Sequence, residues 1–411
     1  MRKWLITLSI IFGVGAITST ALAGRVYYSD LQTYEDYDKQ ELNVNALQKV
    51  TIVSDIPVEV QPTTGEPYVE FTQKFTDLVG LAPKYELEVD EQGNETHIQL
   101  REVEDIFLWL GVKENQGKLT VYLPEGTMDS LDIYSQNYQM NNRRQQSINL
   151  ENISVGKLEI NAVYTDIKLD GSYDKVNINS SGSLNMNSKS PVKLTTVGMG
   201  EQEIEGLFEK IEIKPTRGEV SVKSLQPCYI EIESNRSSIQ LEGQYEKIKI
   251  NGNNTELELN SETECKLVTS GYNNSILANG AFKVMDLGEE DSEVEIQTTV
   301  IPERVKLLEA SRQTSMNLTL PSNIQGITLK YMSQNETLSE YYVEDVELVE
   351  SPLETYNTRL ESDFLPFSQE IENGHINYQY GNGEVPIIIN KDAQIALELI
   401  DGGYTSVSKE N

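Results

Sequence analysis

Three short stretches of the chain repeat one phrase: YDKVNI at 173–178, FEKIEI at 208–213 and YEKIKI at 245–250. Each places an aromatic ring, an acid and a lysine before an apolar-polar-apolar triplet. Alignment on this phrase gives repeat starts 17 to 19 residues apart, at Lys157, Lys175, Lys193, Lys210, Tyr229, Lys247, Lys266 and Lys283. A fixed period of this length is typical of repeat architectures.

Most repeats contain two short alternating runs joined by turn residues. Ile211 and Ile213 alternate with polar residues after one start, and Val220 and Val222 do so again further on. Alternation with a period of two places apolar side chains on one face of a strand. A unit this small buries that face only by stacking on its neighbours. The sequence therefore predicts an all-β fold, a right-handed parallel β-solenoid with coils of about 18 residues.

The aromatic residues follow a period of two repeats. Tyr173, Phe208, Tyr245 and Phe282 lie 35, 37 and 37 residues apart, and Pro191, Pro227 and Glu264 hold the equivalent position between them. Rings on every coil would be crowded, so we expect large rings to interleave with these residues. The double period also permits a coil of about 36 residues, with each repeat supplying half.

The two cysteines distinguish the two coil lengths. Cys228 and Cys265 each precede a repeat start and lie two repeats apart. If one repeat is one coil, their Cα atoms are about 9.6 Å apart, which is too far for a disulfide, whereas a two-repeat coil brings them to about 4.8 Å. We predict two free, buried thiols.

An uncharged segment lies near the N-terminus. Arg2 and Lys3 precede the stretch from Trp4 to Ala23, which is long enough to cross a bilayer, and its last three residues also suit a signal-peptide cleavage site. We expect an extracytoplasmic protein, either membrane-anchored by the N-terminus or secreted. The predicted organisation is an anchor or signal peptide at 1–24, a spacer at 25–47, solenoid repeats at 48–335, an acidic insertion or strap at 336–373 and a C-terminal β segment at 374–411.

A short segment before the main repeats has apolar residues at helical spacing. Phe71, Phe75, Leu78 and Val79 precede Gly80. This pattern predicts an amphipathic helix that caps the first coils.

Composition excludes several functions. With 33 basic and 65 acidic residues, the formal net charge of −32 argues against nucleic acid as a partner. Two histidines and two cysteines leave little material for a metal site. The densest carboxylate stretch of the repeats, Glu289-Glu290-Asp291, is interpreted as a solvated turn. We predict no catalytic, cofactor-binding or metal-binding residues and no cofactor, hence a protein that is not an enzyme; the alternative is a glycan-active β-helix lyase or hydrolase.

Basic residues are the candidate contacts. A row of lysines up one edge of the stack would suit an anionic wall polymer, and the polar loop NYQMNNRRQQ adds two adjacent arginines. Lysines beside acids are also typical of a solvated surface. The candidates are Arg143, Arg144, Lys157, Lys175, Lys193, Lys210 and Lys247, and the expected partner is an envelope protein or cell-wall polymer.

The KLEI, KIEI and YIEI strands, the SSG and NGN turns, and the segments LTVYLP (119–124) and NLTLP (317–321) resemble a known family across residues 48 to 400. This is the "putative adhesin" family of β-strand-repeat domains of unknown function in bacterial envelope proteins, many of them Gram-positive. The resemblance implies an outward-facing β-solenoid, sometimes linked to envelope-stress responses, and it supplies no catalytic residues.

Overall fold

The computed structural model describes residues 32–77, 85–103, 115–135, 146–198, 200–215, 217–307, 314–321, 323–332, 360–361, 368–372, 375–381, 385–390 and 394–400. Apart from a short 3-10 helix at Val44–Ala46, the regular structure in these residues is β. The chain divides into two compact units, Met1–Ile153 and Ser154–Asn411. No described helix is long and apolar enough to span a membrane. The N-terminal segment predicted at 1–24 lies outside the described residues.

The first unit combines parallel strands with antiparallel edges. Its strands are β1 (Gln32–Glu41), β2 (Lys49–Ser54), β3 (Val58–Thr63), β4 (Tyr68–Asp77), β5 (Tyr85–Gln92), β6 (Glu95–Glu102), β7 (Asn115–Pro124), β8 (Thr127–Ser135) and the first part of β9 (Gln146–Ala162), which continues past Ile153 into the second unit. β2 pairs in parallel with β6 and β8, and β3 pairs in parallel with β7 and β9. β5 covers β6, and β4 covers β7, in antiparallel pairing. Antiparallel strands thus satisfy edges that the parallel stacks would leave open.

The predicted capping helix is wrong. Its first part lies in strand β4, where Val69, Phe71 and Gln73 are buried at alternating positions. β4 is hydrogen-bonded on both sides, to β1 and to β7. An isolated short helix is marginal in water, whereas β-branched and aromatic residues between two strands gain pairing and packing together. Leu78 and Val79 lie outside the described residues.

The second unit contains the regular repeats. Its strands are β10 (Thr165–Ser180), β11 (Leu184–Gly198), β12 (Gln202–Pro215), β13 (Gly218–Asn235), β14 (Ser237–Asn253), β15 (Glu256–Tyr272), β16 (Ser275–Glu290), β17 (Glu293–Thr298), β18 (Arg304–Leu307), β19 (Ser315–Pro321), β20 (Gly326–Met332), β21 (Leu360–Glu361), β22 (Ser368–Glu372), β23 (His375–Gly381), β24 (Val385–Asn390) and β25 (Gln394–Ile400).

Adjacent coils of this unit pair in parallel, one repeat apart. Lys175 pairs with Lys193, and Lys193 pairs with Lys210. Further along, Ile230 pairs with Ile248. One repeat is therefore one coil, which confirms the coil of about 18 residues and excludes the longer one. The unit is a β-solenoid of about nine turns.

Each coil contributes two strand segments, which stack into two sheets. The first segments, such as 167–171 and 184–188, form sheet A, and the second, such as 175–179 and 193–197, form sheet B. Inward side chains of both sheets, such as Ile204 and Val222 of sheet A and Ile213 and Ile232 of sheet B, are buried. The two sheets therefore face each other across a common apolar core, as the alternation predicts.

One end of each coil, where sheet A leads into sheet B, holds a column of buried residues that we call the ring corner. Large and small side chains alternate along it, in the order Tyr173, Val192, Phe208, Cys228, Tyr245, Cys265 and Phe282. Interleaving by size is confirmed, but the expected partners are wrong. Pro191, Pro227 and Glu264 are exposed, and in each case the next residue turns inward.

Glycine and serine alternate beside the ring corner. Gly243 precedes the ring of Tyr245; its φ is 110°, and a Cβ there would lie 2.2 Å from the Ser224 carbonyl oxygen, so only glycine fits. On the small-residue coils, the Ser224 and Ser261 hydroxyls donate to carbonyl oxygens two residues later, at 2.7 and 3.0 Å. The two corner designs, glycine with a ring and serine with a small residue, therefore alternate from coil to coil, which explains the double period.

Both cysteines belong to the ring corner. Cys228 and Cys265 are free and buried, as predicted. Burial raises the pKa of each thiol to about 11. Because the thiolate is the reactive form, these side chains act as small apolar residues at neutral pH.

The C-terminal strands enter the stack out of sequence order. In sheet B, β24 lies between β18 and β20, and in sheet A, β25 pairs with β19. β23 then covers β20 in antiparallel pairing, and β22 covers β23. Of the acidic segment 336–373, residues 360–361 and 368–372 are described, as β21 and β22.

Candidate binding face

The outward side of sheet B carries the predicted row of lysines. Lys175, Lys193 and Lys210 are consecutive partners in the register, followed by Tyr229, and then Lys247 and Lys266. Each occupies the position immediately before an inward residue, so alternation directs it to solvent. Successive coils are about 4.8 Å apart, which makes this a closely spaced line of cations.

A neighbouring column supplies carboxylates that relieve the repulsion between lysines. The Lys249 Nζ lies 2.7 Å from Glu231, and the Lys266 Nζ lies 2.6 Å from Asp286. The hydrogen bond from Lys249 lowers the pKa of Glu231, and the same bond raises the pKa of Lys249. Lys210 pairs with Glu212 on its own coil. These pairs are solvent-accessible, so they add little stability but hold the side chains in ordered positions.

Tyr229 replaces lysine in the middle of the row. Its ring lies 5.3 Å from the Lys210 Nζ and 4.9 Å from the Lys247 Nζ, which are cation–π distances. Its hydroxyl donates to Glu231 at 2.8 Å. Burial, followed by this hydrogen bond, raises the pKa of Tyr229 to about 12. The tyrosine therefore joins the two halves of the row into one continuous surface.

Several of the predicted lysines also form ion pairs with nearby acids. Lys157 forms an ion pair with Glu159 at 2.8 Å. Lys193, which is exposed, lies 3.3 Å from Glu209. Lys283 does not share the row, because Lys266 pairs with Val284 and Lys283 falls one position earlier, beside Glu264. Arg143 and Arg144 lie outside the described residues.

The carboxylate stretch predicted as a solvated turn is partly buried. Glu289 has 1% exposure, and its carboxylate accepts a hydrogen bond from the Asn274 Nδ2 at 2.8 Å. Burial raises its pKa, and the bond from Asn274 opposes this rise. The prediction failed for Glu289 because three consecutive acids suggest solvent, whereas alternation in β16 turns this residue inward. Glu290 is exposed.

Glu289 belongs to a polar column at the end of the coil opposite the ring corner, which we call the polar turn. Its buried residues are Ser237, Thr255, Asn274, Ser292 and Thr314. The Asn274 Oδ1 accepts from the Thr255 backbone N–H at 3.0 Å, and the Ser292 Oγ accepts from the Asn274 backbone N–H at 3.0 Å. The Asn274 Nδ2 also donates to the Gly252 carbonyl oxygen at 2.7 Å. Among the described residues, no cluster of three or more His, Cys, Asp or Glu side chains suits a metal ion.

Comparisons with known proteins give only remote similarities. No protein-family model and no curated protein match the chain. A structure named "putative adhesin" from Bacteroides fragilis covers 62% of this chain and 97% of its own, with 13% identity and a TM-score of 0.33. Another of that name, from Parabacteroides merdae, covers 62% and 95%, with 12% identity and a TM-score of 0.32.

A third structure, named "putative cell adhesion protein", from Clostridium sporogenes, covers 89% of this chain and 100% of its own, with 9% identity and a TM-score of 0.16. These neighbours bear the names of adhesion proteins and not of enzymes. At TM-scores this low, the names are no argument for the function of this chain.

Proposed function

We propose that the protein is a non-catalytic, extracytoplasmic scaffold of the cell envelope, adhesin-like in design, that binds an anionic wall polymer along the outward face of sheet B. The observation that carries this proposal is the register that aligns Lys175, Lys193 and Lys210 on consecutive coils. A polymer with regularly spaced phosphates contacts such a row at many points, so weak single contacts add up.

The sequence supports the location and the class. The uncharged stretch behind Arg2 and Lys3 favours export, with either a retained anchor or a cleaved signal peptide. The crossover rule favours a right-handed solenoid. The repeat pattern favours the "putative adhesin" β-strand-repeat family of envelope proteins. A role in an envelope-stress response further requires that the N-terminal segment is retained, which sequencing of the mature N-terminus decides.

The binding test compares two double variants with the same change in net charge. Lys175→Glu with Lys193→Glu reverses the exposed row on sheet B, whereas Lys168→Glu with Lys223→Glu changes exposed lysines on sheet A. Binding of the full chain to immobilised polyphosphate is measured against salt concentration. The sheet B variant should bind about tenfold more weakly with a shallower salt dependence, and the sheet A variant should bind nearly as well as the unmodified chain. Equal losses would assign the effect to net charge and refute a binding face.

A further inference from the structure

The outward face of sheet A is acidic, in contrast to that of sheet B. The register aligns its side chains into columns just as it aligns the lysines. The charged members of three such columns are the carboxylates of Asp170, Glu203, Glu205, Glu219, Glu242, Glu256, Glu258, Glu293 and Glu295 and the lysines Lys168 and Lys223. Lys223 is paired with Glu205 at 3.3 Å. Lys189, outside these columns, is paired with Asp170 at 2.9 Å. Nine carboxylates against two lysines leave an excess of negative charge in these columns.

The outward face of sheet B has the opposite balance. In its first two columns the charged residues are Lys175, Lys193, Lys210, Lys247, Lys249, Lys266, Arg304 and Lys306, against Glu212, Glu231 and Asp286. Some of these cations form ion pairs with the three acids; for example, Lys266 and Arg304 both contact Asp286. Glu209, just outside these columns, pairs with Lys193 at 3.3 Å, and an excess of positive charge remains in the two columns.

The two faces point away from each other. Sheets A and B share the core, and each coil closes at both ends, through the ring corner and through the polar turn. At the polar turn, the Asn274 side chain at the start of one sheet A segment contacts Glu289 at the end of a sheet B segment. The second unit is therefore basic on one outer surface and acidic on the other.

We propose that copies of this chain associate side by side, with sheet B of one copy against sheet A of the next. Charge complementarity identifies a second copy as the partner. Both surfaces also belong to the same stack of coils, so their charges repeat with the same spacing of about 4.8 Å. A row of cations on one copy can therefore meet a row of carboxylates on the other over several coils.

The formal net charge of −32 opposes this association only at long range. At physiological ionic strength the Debye length is about 8 Å, so charges beyond the contact are screened and the opposed faces dominate. The contact is heterologous, because each copy uses two different surfaces, and it extends into arrays unless the rotation between copies closes a ring. This proposal does not depend on polymer binding.

The test uses two triple charge-reversal variants of the full chain in detergent micelles. One is Lys175→Glu, Lys193→Glu and Lys247→Glu on sheet B; the other is Glu203→Lys, Glu258→Lys and Glu295→Lys on sheet A. Sedimentation velocity should show association of the unmodified chain at about 50 mM NaCl and its loss at about 0.5 M. In each variant alone, one of the two faces is left with almost no net charge, so the variant has lost its complementary partner and should remain monomeric. An equimolar mixture should associate again.

The mixture is the decisive sample, because each variant supplies the face that the other has lost. The sheet A variant is also less negative overall than the unmodified chain. If net charge alone governed association, this variant would associate more strongly than the unmodified chain; if sheet B pairs with sheet A, it should associate more weakly. An unmodified chain that is monomeric at low salt, or a mixture that stays monomeric, would overturn the proposal. The sheet A variant keeps its lysines and should still bind polyphosphate, which separates this outcome from the proposed function.

Discussion

The two ends of each coil in the second unit solve the same problem by different means. At the ring corner the chain turns around buried side chains that interleave by size, such as Phe208 against Val192. At the polar turn it turns around buried side chains that hydrogen-bond to the next coil, such as Asn274 to Thr255. Dispersion and burial hold one end, and directional bonds hold the other.

This difference sets the period of the sequence at each end. A ring needs a small residue above and below it, so the ring corner repeats every two coils. A hydroxyl or amide needs only a partner on the adjacent coil, so the polar turn repeats on every coil, with Ser, Thr or Asn in turn. A solenoid therefore contains two periods in one sequence, and the longer one does not mean a longer coil.

The largest effect is expected from removal of a ring. Phe208→Ala deletes a fully buried side chain between small neighbours and should lower the free energy of unfolding by about 3–5 kcal/mol. Pro227→Ala, at the exposed position where the sequence predicted an interleaved residue, should change it by less than about 0.5 kcal/mol. Urea unfolding followed by circular dichroism measures both. Similar losses in the two variants would mean that the large-small alternation does not stabilise the corner.

The next effect tests the polar turn. Asn274→Ala leaves the Thr255 N–H, the Gly252 carbonyl and the Glu289 carboxylate without this partner, and should cost about 2–3 kcal/mol at neutral pH. The raised pKa of Glu289 sets the pH dependence. A group with a raised folded-state pKa stabilises the fold below its unfolded pKa and loses that contribution as pH rises through the folded value. Loss of the Asn274 donor raises this pKa further, so the cost should be larger at pH 7 than at pH 4.5.

Glu289→Gln provides the control for that pH dependence. This variant has no group that titrates at the position, so the part of the pH dependence due to Glu289 should disappear. Adding Asn274→Ala to Glu289→Gln should then cost nearly the same at both pH values. If the cost of Asn274→Ala varies with pH in the glutamine background as well, another group causes the variation.

The sequence was sufficient for the solenoid and its coil because their causes are local and repeated. Alternation such as Ile211 and Ile213 fixes which face is buried, and the spacing of the starts fixes the coil. The lysine row followed from the same two facts. The replacement of lysine by Tyr229 within the row is visible in the sequence. The departure of Lys283 from the row is not, because the position of Lys283 depends on how many residues the ring corner of its coil contains.

The failures lie where the outcome depends on partners distant in sequence. Phe71 and Phe75 fit a helical stripe as well as a strand, and only pairing of β4 with β1 and β7 decides between them. The insertion of β24 between β18 and β20 has no local signal either. The acidic face of sheet A is spread over many repeats and becomes evident only when the register aligns them.

The smallest effect comes from two tyrosines at equivalent positions of the ring corner. The Tyr245 hydroxyl lies 2.9 Å from the Glu242 carbonyl oxygen and 3.1 Å from that of Val222, whereas the Tyr173 hydroxyl is buried and has no hydrogen-bond partner among the described residues. Tyr245→Phe should therefore cost about 1–2 kcal/mol, because it removes a satisfied buried bond. Tyr173→Phe should cost nothing, or should stabilise the fold by up to about 1 kcal/mol, because it removes an unpaired buried hydroxyl. Since the two rings are alike, the difference in unfolding free energy isolates the hydroxyl from the ring. An equal loss in both would show that hydrogen bonding is not what distinguishes these coils, and that packing alone governs the ring corner.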